Sequence, residues 1–301
     1  MKNEHLYKEC VLCPRKCKVN RLEGQRGYCK ETSELVAARA ALHMWEEPCI
    51  SGEEGSGAVF FSGCAMGCVF CQNHNIAAGK AGKPITIERL SEIFLELQEK
   101  GANNINLVTP SHYILSIIEA VKMAKEKGLH LPVVYNSSGF ELPEIVRLLE
   151  GYVDIYLPDF KYMNDTIAKK YSNAPHYADY AKKALKEMFR QTGKPEFDER
   201  GMMKKGIIVR HLVLPEHTED SKKIVKYLYE TYGDDIYISI MNQYTPLEQV
   251  AAYPELNRPL TDKEYDEVVD YAVDLGVENG FIQEGETAKD SFIPEFNCEG
   301  V

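Results

Sequence analysis

No apolar run in this chain of 301 residues approaches the roughly 18 residues that span a bilayer, so no membrane segment is expected. The start, Met1 to Lys8, has no apolar core and does not read as a secretory signal. Positive charge is scarce. There are 35 Lys and Arg against 46 Asp and Glu, a net −11, which disfavours broad nucleic-acid binding. Internal repeats and low-complexity tracts are also lacking. What remains is ordinary for a globular protein, 44% hydrophobic and 27% charged. The length allows one large α/β domain or two smaller ones.

Cysteine is not scarce. Nine of them, with no signal at the start, point to a reducing compartment, the cytoplasm, and to metal rather than disulfides. Three form one short loop, Cys64-Ala-Met-Gly-Cys68-Val-Phe-Cys71, at C-x3-C-x2-C spacing. A cubane iron–sulfur cluster takes four cysteines when fully ligated. This loop supplies three, leaving one iron open to bind something chemical. The alternative is a zinc knuckle. Its fourth ligand would have to be His74, because the next cysteine after the loop is Cys298.

Four more, Cys10, Cys13, Cys17 and Cys29, make a complete tetrathiolate by count. A structural zinc and an auxiliary [4Fe–4S] cluster both suit that number. If the site is purely structural, losing it lowers stability without disturbing a cluster at Cys64–Cys71. Residues 1–30 carry a net +5, and the rest of the chain −16. The cations offset a negatively charged metal site, or form a contact patch for an acidic partner. Cys49 could substitute for one of these ligands, but reads first as a small buried hydrophobe.

From Gly57 onward short apolar runs alternate with helical patterns. Strands are predicted at 58–61, 106–109, 131–135, 153–157, 207–210 and 236–240. Helices are predicted at 86–100, from after Thr109 to about Lys127, and at 143–150, 165–191, 221–231 and 262–275. A polar connector covers 192–205. The segment 279–283 reads as an adenine-side wall or as an ordinary last strand. Alternation of this kind implies a parallel sheet with right-handed crossovers. Six βα units are too few for a closed eight-stranded barrel and suit a partial (β/α)6 barrel of the TIM type. The expected division is a cysteine-rich segment, 1–50, and a barrel core, 51–301.

In such folds the site gathers at the carboxyl ends of the strands. After the six apolar runs stand the three cysteines, then Thr109-Pro-Ser-His112, Asn136-Ser-Ser-Gly139, Asp159-Phe-Lys161, Arg210-His211 with Glu216-His217 beyond, and Met241-Asn-Gln243-Tyr244. Any one of these could be a helix cap or a solvated loop residue. The coincidence over six ends favours a site. Just before the first strand, His43, Trp45, Glu46 and Glu47 could cover the open barrel or touch substrate; packing is otherwise expected for Trp45, and solvation for Glu46 and Glu47.

These residues resemble those of the radical S-adenosylmethionine (SAM) superfamily. The resemblance covers nearly the whole chain. The cysteine loop carries it, together with Cys10-x2-Cys13-Pro-Arg-x-Cys17, Trp45 to Gly52, Phe60 to Cys64 and Arg210 to Pro215. The stretch Asp159-Phe-Lys-Tyr-Met-Asn-Asp165 is similar to the pyruvate formate-lyase activating enzymes, so the chain resembles a subgroup related to them. The resemblance implies reductive SAM cleavage at a [4Fe–4S] cluster held by Cys64, Cys68 and Cys71, then hydrogen abstraction from a substrate under anaerobic conditions. It implies that the Phe70 backbone lies against the adenine and Ser138 near the ribose or carboxylate. Arg210 and Lys161 would contact SAM polar groups, with Gln243 near the adenine. Relatives have Gly-Gly-Glu after the second strand for the SAM amino group. Here Thr109 and a nearby carbonyl stand in that place. A monovalent cation at Asp159, with Asn136 beside it, is also implied. So are a small electron donor of flavodoxin or ferredoxin type and a substrate that is a glycyl radical enzyme, a peptide or a small molecule. Another class, an electron-transfer or zinc-scaffold protein without SAM, leaves the polar strand ends unexplained.

Overall fold

The computed structural model describes residues 3–283 and 294–301. Lys2, counted in the basic segment, lies outside them. Among these residues the strands are β1 Leu35–His43, β2 Ser56–Phe61, β3 Lys83–Ile85, β4 Ile105–Val108, β5 Val133–Ser137, β6 Ile155–Pro158, β7 Glu196–Phe197, β8 Met203–Leu212, β9 Tyr237–Met241 and β10 Gly280–Ile282. They form one sheet in the order β10-β9-β8-β6-β5-β4-β2-β1-β3, with β7 paired to β8. The pairs from β2 through β4, β5, β6, β8 and β9 to β10 are all parallel. These are the six strands expected, plus a short seventh at 280–282. The partial barrel is therefore open, with β3 at one end of the strand order and β10 at the other.

Strands β2, β4, β5 and β6 are buried at every position. A parallel sheet covered on both faces requires this, and it is why those segments read as continuous apolar runs. Helices cover the outside. Ile87–Glu99 turns Leu90, Ile93, Phe94 and Leu97 inward, each worth roughly 1.5–3 kcal/mol of burial. The Thr86 side chain caps it, accepting from the Arg89 amide at 3.0 Å. Asp262–Leu275 starts on a capping box between Thr261 and Glu264 and stops at left-handed Gly276.

The residues before β2 include β1, antiparallel to both β2 and β3. The C-terminal residues also pair with β1, through Cys298 N to Ala38 O and Ala40 N to Glu299 O. Two expectations, the single helix at 165–191 and the irregular connector at 192–205, need correction. The helical region 165–191 is two helices, Asp165–Ser172 and Tyr177–Thr192, separated by left-handed Asn173 and His176. The connector 192–205 holds a hairpin, since β8 begins at Met203 and pairs with β7. Of the two readings of 279–283, the structure bears out the ordinary last strand.

Candidate functional site

Parallel register brings the strand ends level. Val108 lies opposite Asn136, Ser137 opposite Pro158, and Leu212 opposite Met241. The ends of β5 and β6 approach very closely at Gly139. Its φ is +72°, and a Cβ there would stand 2.2 Å from the Asp159 carbonyl oxygen, so only glycine fits. Tyr177 ties the same ends together. Its hydroxyl donates to Ser138 O at 2.7 Å and accepts from the Lys161 amide at 2.9 Å.

The strand ends surround one cavity of about 720 Å³. Its lining includes Cys64, Cys68 and Cys71, and also Phe70, Thr109, Asn136, Ser138, Asp159, Lys161, Arg210 and Gln243. Ser111, His112, His211, Glu216 and His217 are not part of it. His211 is buried between the Phe160 carbonyl and the Ser221 hydroxyl, 2.8 Å from each. His112 contacts the Ser62 carbonyl at 2.6 Å. Burial lowers both imidazoles, to about 4 and about 3, and keeps them neutral.

One charge lattice runs through the cavity wall. Lys161 Nζ lies 2.6 Å from Asp159 Oδ2, and Arg210 Nε 3.5 Å from Asp159 Oδ1. Arg210 also donates to Glu46 Oε2 at 2.9 Å and to Asn136 Oδ1 at 2.5 Å. The remaining Glu46 oxygen accepts from Asn106 at 2.9 Å. Burial works against both cations, yet they are held above their ordinary values. At Lys161 the largest single cause is burial, but Asp159, Cys68 and Cys71 together outweigh it, as Glu46, Glu47 and Asp159 do at Arg210.

Glu47 is thus buried and Glu46 half-buried, its side chain turned in against Arg210, so neither is solvated, and Trp45 is 63% exposed. Trp45, Glu46 and His43 belong to the cavity lining. Burial, with Arg210 second, pulls His43 down to about 4. Thr109 has φ +59°, which is costly for a β-branched residue and marks a built position. Gln243 is held by Gln72, whose amide donates to its carbonyl at 2.7 Å.

Burial pushes Cys64 up to about 11 and Cys71 to about 12, and the nearby Cys68 adds to both. They form one electrostatic group on the cavity wall. Among the described residues no three or more His, Cys, Asp or Glu side chains gather as the ligands of a single ion do. Three soft thiol donors lining a roomy cavity fit a cubane that takes three cysteines and keeps one iron open.

The N-terminal thiols lie outside the cavity. Cys10 and Cys29 are buried, while Cys13 and Cys17 are partly exposed. Burial raises Cys13 to about 12, with Cys29 and Cys10 among the further causes. Buried Arg21 accompanies them, donating to the His112 carbonyl at 2.6 Å and to that of Thr32. Cys49 packs with Ile50, Val134 and Ile155 in a small apolar cluster, as a hydrophobe would.

The radical SAM superfamily model matches residues 58–228. A relative in Methanocaldococcus jannaschii, the uncharacterised protein MJ0674, is 29% identical over 279 residues, 89% of this chain and 75% of its own length. The pyruvate formate-lyase-activating enzyme of Clostridium pasteurianum is 28% identical over 112 residues, 36% of this chain and 46% of that enzyme. Streptococcus suis SuiB, crystallised with precursor peptide SuiA, aligns over 74% of this chain with TM-score 0.51 and 14% identity. The chain spans 47% of SuiB. Methylornithine synthase (PylB) aligns over 78% of this chain and 66% of its own, at TM-score 0.51 and 14% identity. Likeness at that identity is likeness of fold. With the family model covering more than half its length, the chain belongs to the radical SAM superfamily.

Proposed function

We propose that Cys64, Cys68 and Cys71 hold a [4Fe–4S] cluster, that SAM occupies the cavity beside it, and that substrate enters past Trp45. The observation that carries this reading is the convergence of three thiols and eight further residues, drawn from six strand ends, on one cavity. The chemistry supplied by the bound groups is one-electron reductive cleavage of SAM followed by hydrogen abstraction, with electrons from a donor of flavodoxin or ferredoxin type. The chain's own residues bind and orient. Arg210 and Lys161 offer cationic donors to the SAM carboxylate, and Glu46 and Asp159 offer acceptors to its ammonium. All four are held by one another, so little reorganisation is needed on binding. Thr109 contributes at the amino-group position, Ser138 at the ribose or carboxylate, and Phe70 and Gln243 at the adenine. A monovalent cation here would share Asp159 and Asn136 with Lys161 and Arg210.

The substrate reading we favour is a partner enzyme that receives a glycyl radical. The Asp159-to-Asp165 stretch and the partial likeness to an activating enzyme support it. Modification of a peptide or small molecule is the second reading, favoured by the fold shared with SuiB and PylB. Electron paramagnetic resonance after incubation with SAM, reductant and candidate partners separates them. A persistent glycyl radical on a partner supports the first. SAM turnover coupled to a modified peptide or small molecule supports the second.

We assign Cys10, Cys13, Cys17 and Cys29 to a second metal centre. A structural zinc and an auxiliary cubane both suit four thiolates, and metal analysis decides between them. The division into a cysteine-rich segment 1–50 and a core 51–301 is proposed as one of chemistry, since β1 lies in the common sheet.

A further inference from the structure

We propose that Arg15 is a positioning residue that couples the N-terminal cysteine segment to the Cys64–Cys71 loop; this rests on the reading that the loop holds the cluster. Arg15 stands between Cys13 and Cys17, and its guanidinium serves two distant pieces of chain at once. Nε donates to Ala65 O at 2.8 Å and Nη2 to Met66 O at 2.9 Å, both in the cysteine loop. Nη2 also reaches Ser172 O at 3.1 Å, and Nη1 donates to Asn173 O. Ser172 and Asn173 end the helix Asp165–Ser172. Carbonyls at a helix C-terminus lack partners and carry partial negative charge. The loop carbonyls of Ala65 and Met66 turn to the same guanidinium. One planar cation with five donors satisfies both sets, whereas the point charge of a lysine could not span them.

The loop then rests on that helix end. The Val69 amide donates to Tyr171 O at 2.9 Å. The Ser172 hydroxyl lies 2.9 Å from Cys68 Sγ and 2.6 Å from the Tyr162 hydroxyl. Hydrogen bonds to ligand sulfurs are among the factors that set a cluster's potential. Arg15 therefore acts at one remove on the environment of Cys68.

The N-terminal segment in turn fixes Arg15. The guanidinium carbon lies 3.8 Å from the Tyr28 ring centroid. The Tyr28 hydroxyl donates to Met66 O at 3.3 Å. Gly67 has φ +71°, and a Cβ there would meet that hydroxyl at 2.9 Å, so loop and segment lie flush. The knuckle carrying Arg15 is tight: Lys16 N donates to Cys13 O, Lys18 N to Cys10 O and Cys10 N to Val19 O, each at 3.0 Å. Lys16 and Lys18 are left-handed, with φ of 42° and 58°. The Tyr28 amide points to Cys17 Sγ at 3.2 Å. Thiols that lose their grip would release the knuckle, and Arg15 with it.

Hydrogen exchange on the full chain, purified anaerobically, tests the coupling. We expect Arg15→Lys to speed exchange of residues 64–71, including the Val69 amide, by about tenfold or more, the scale of a lost charged hydrogen bond. The helix Ile87–Glu99 should exchange as in wild type. Cys17→Ser should speed the same loop, and Tyr28→Phe should do so more weakly. In cluster-loaded protein, Arg15→Lys should also shift the midpoint potential. Unchanged exchange at 64–71 in Arg15→Lys overturns the positioning role, and unchanged exchange in Cys17→Ser overturns the coupling. The exchange measurement needs no cluster. Failure of Cys64, Cys68 and Cys71 to assemble one would contradict the functional reading and leave the exchange result standing.

Discussion

Arg210 Nη1 donates to Glu46 Oε2 across 2.9 Å, joining β8 to the segment between β1 and β2, 164 residues away in sequence. The pair places a carboxylate from outside the parallel strands in the wall of the cavity. Glu46→Gln keeps the shape and removes the charge. With one charge-assisted bond weakened, the dissociation constant for SAM should rise roughly tenfold. Calorimetry on the reconstituted protein checks this; unchanged affinity would make Glu46 a structural partner only.

Asp159 already has Lys161 at 2.6 Å and Arg210 at 3.5 Å. A potassium or sodium ion there would compete with an ammonium that the site holds charged. SAM affinity titrated against potassium should therefore respond weakly and equally in wild type and Asp159→Asn. A clear potassium requirement in wild type, lost in Asp159→Asn, would instead place the cation beside Asp159.

Glu141 is fully buried. Burial raises its carboxyl to about 8, although Ser137, Ser111 and Tyr135 lower it in part. Neither carboxyl oxygen has a well-formed hydrogen bond. The unfolded chain releases this proton near pH ~4.3. Between that pH and about 8 the native state holds a proton that the unfolded state has lost, so the group's contribution falls as pH rises and then levels off. Glu141→Gln should remove this decline, which is on the order of a few kcal/mol. Denaturant melts of both proteins at several pH values measure it. A constant difference across the range would contradict the assignment.

Cys13→Ala addresses the second centre. If Cys10, Cys13, Cys17 and Cys29 hold a cubane, iron per chain should fall by about half, one of two similar clusters being lost. If they hold zinc, zinc should vanish while iron stays. Wild-type protein with neither zinc nor extra iron would reject both.

Much of this was legible because two local signals are strong. Apolar runs followed by polar residues marked the strand ends, since parallel strands are buried on both faces. The helix Asp262–Leu275 matched its predicted bounds because Thr261, Glu264 and Gly276 punctuate it. β1 was not legible: Leu35–His43 has no clear alternation, and its partners β2, β3 and the 298–301 tail are tertiary. The break before Tyr177 had an available signal in Pro175. Glu46 had none. It lies beside exposed Trp45 in a polar stretch, and its burial depends on Arg210. Arg15 was visible as the arginine of the Cys13-Pro-Arg-x-Cys17 stretch, but not its role, because the carbonyls it serves belong to distant segments.

The central claim is that Cys64, Cys68 and Cys71 together hold the cluster that cleaves SAM. The most direct measurement is 5′-deoxyadenosine formation by anaerobically reconstituted protein with SAM and a strong reductant, comparing wild type with Cys68→Ala. The account predicts product from wild type and none above background from the variant, because a thiolate lost from three leaves the cluster without a sufficient hold. Product at the wild-type rate from Cys68→Ala would contradict it.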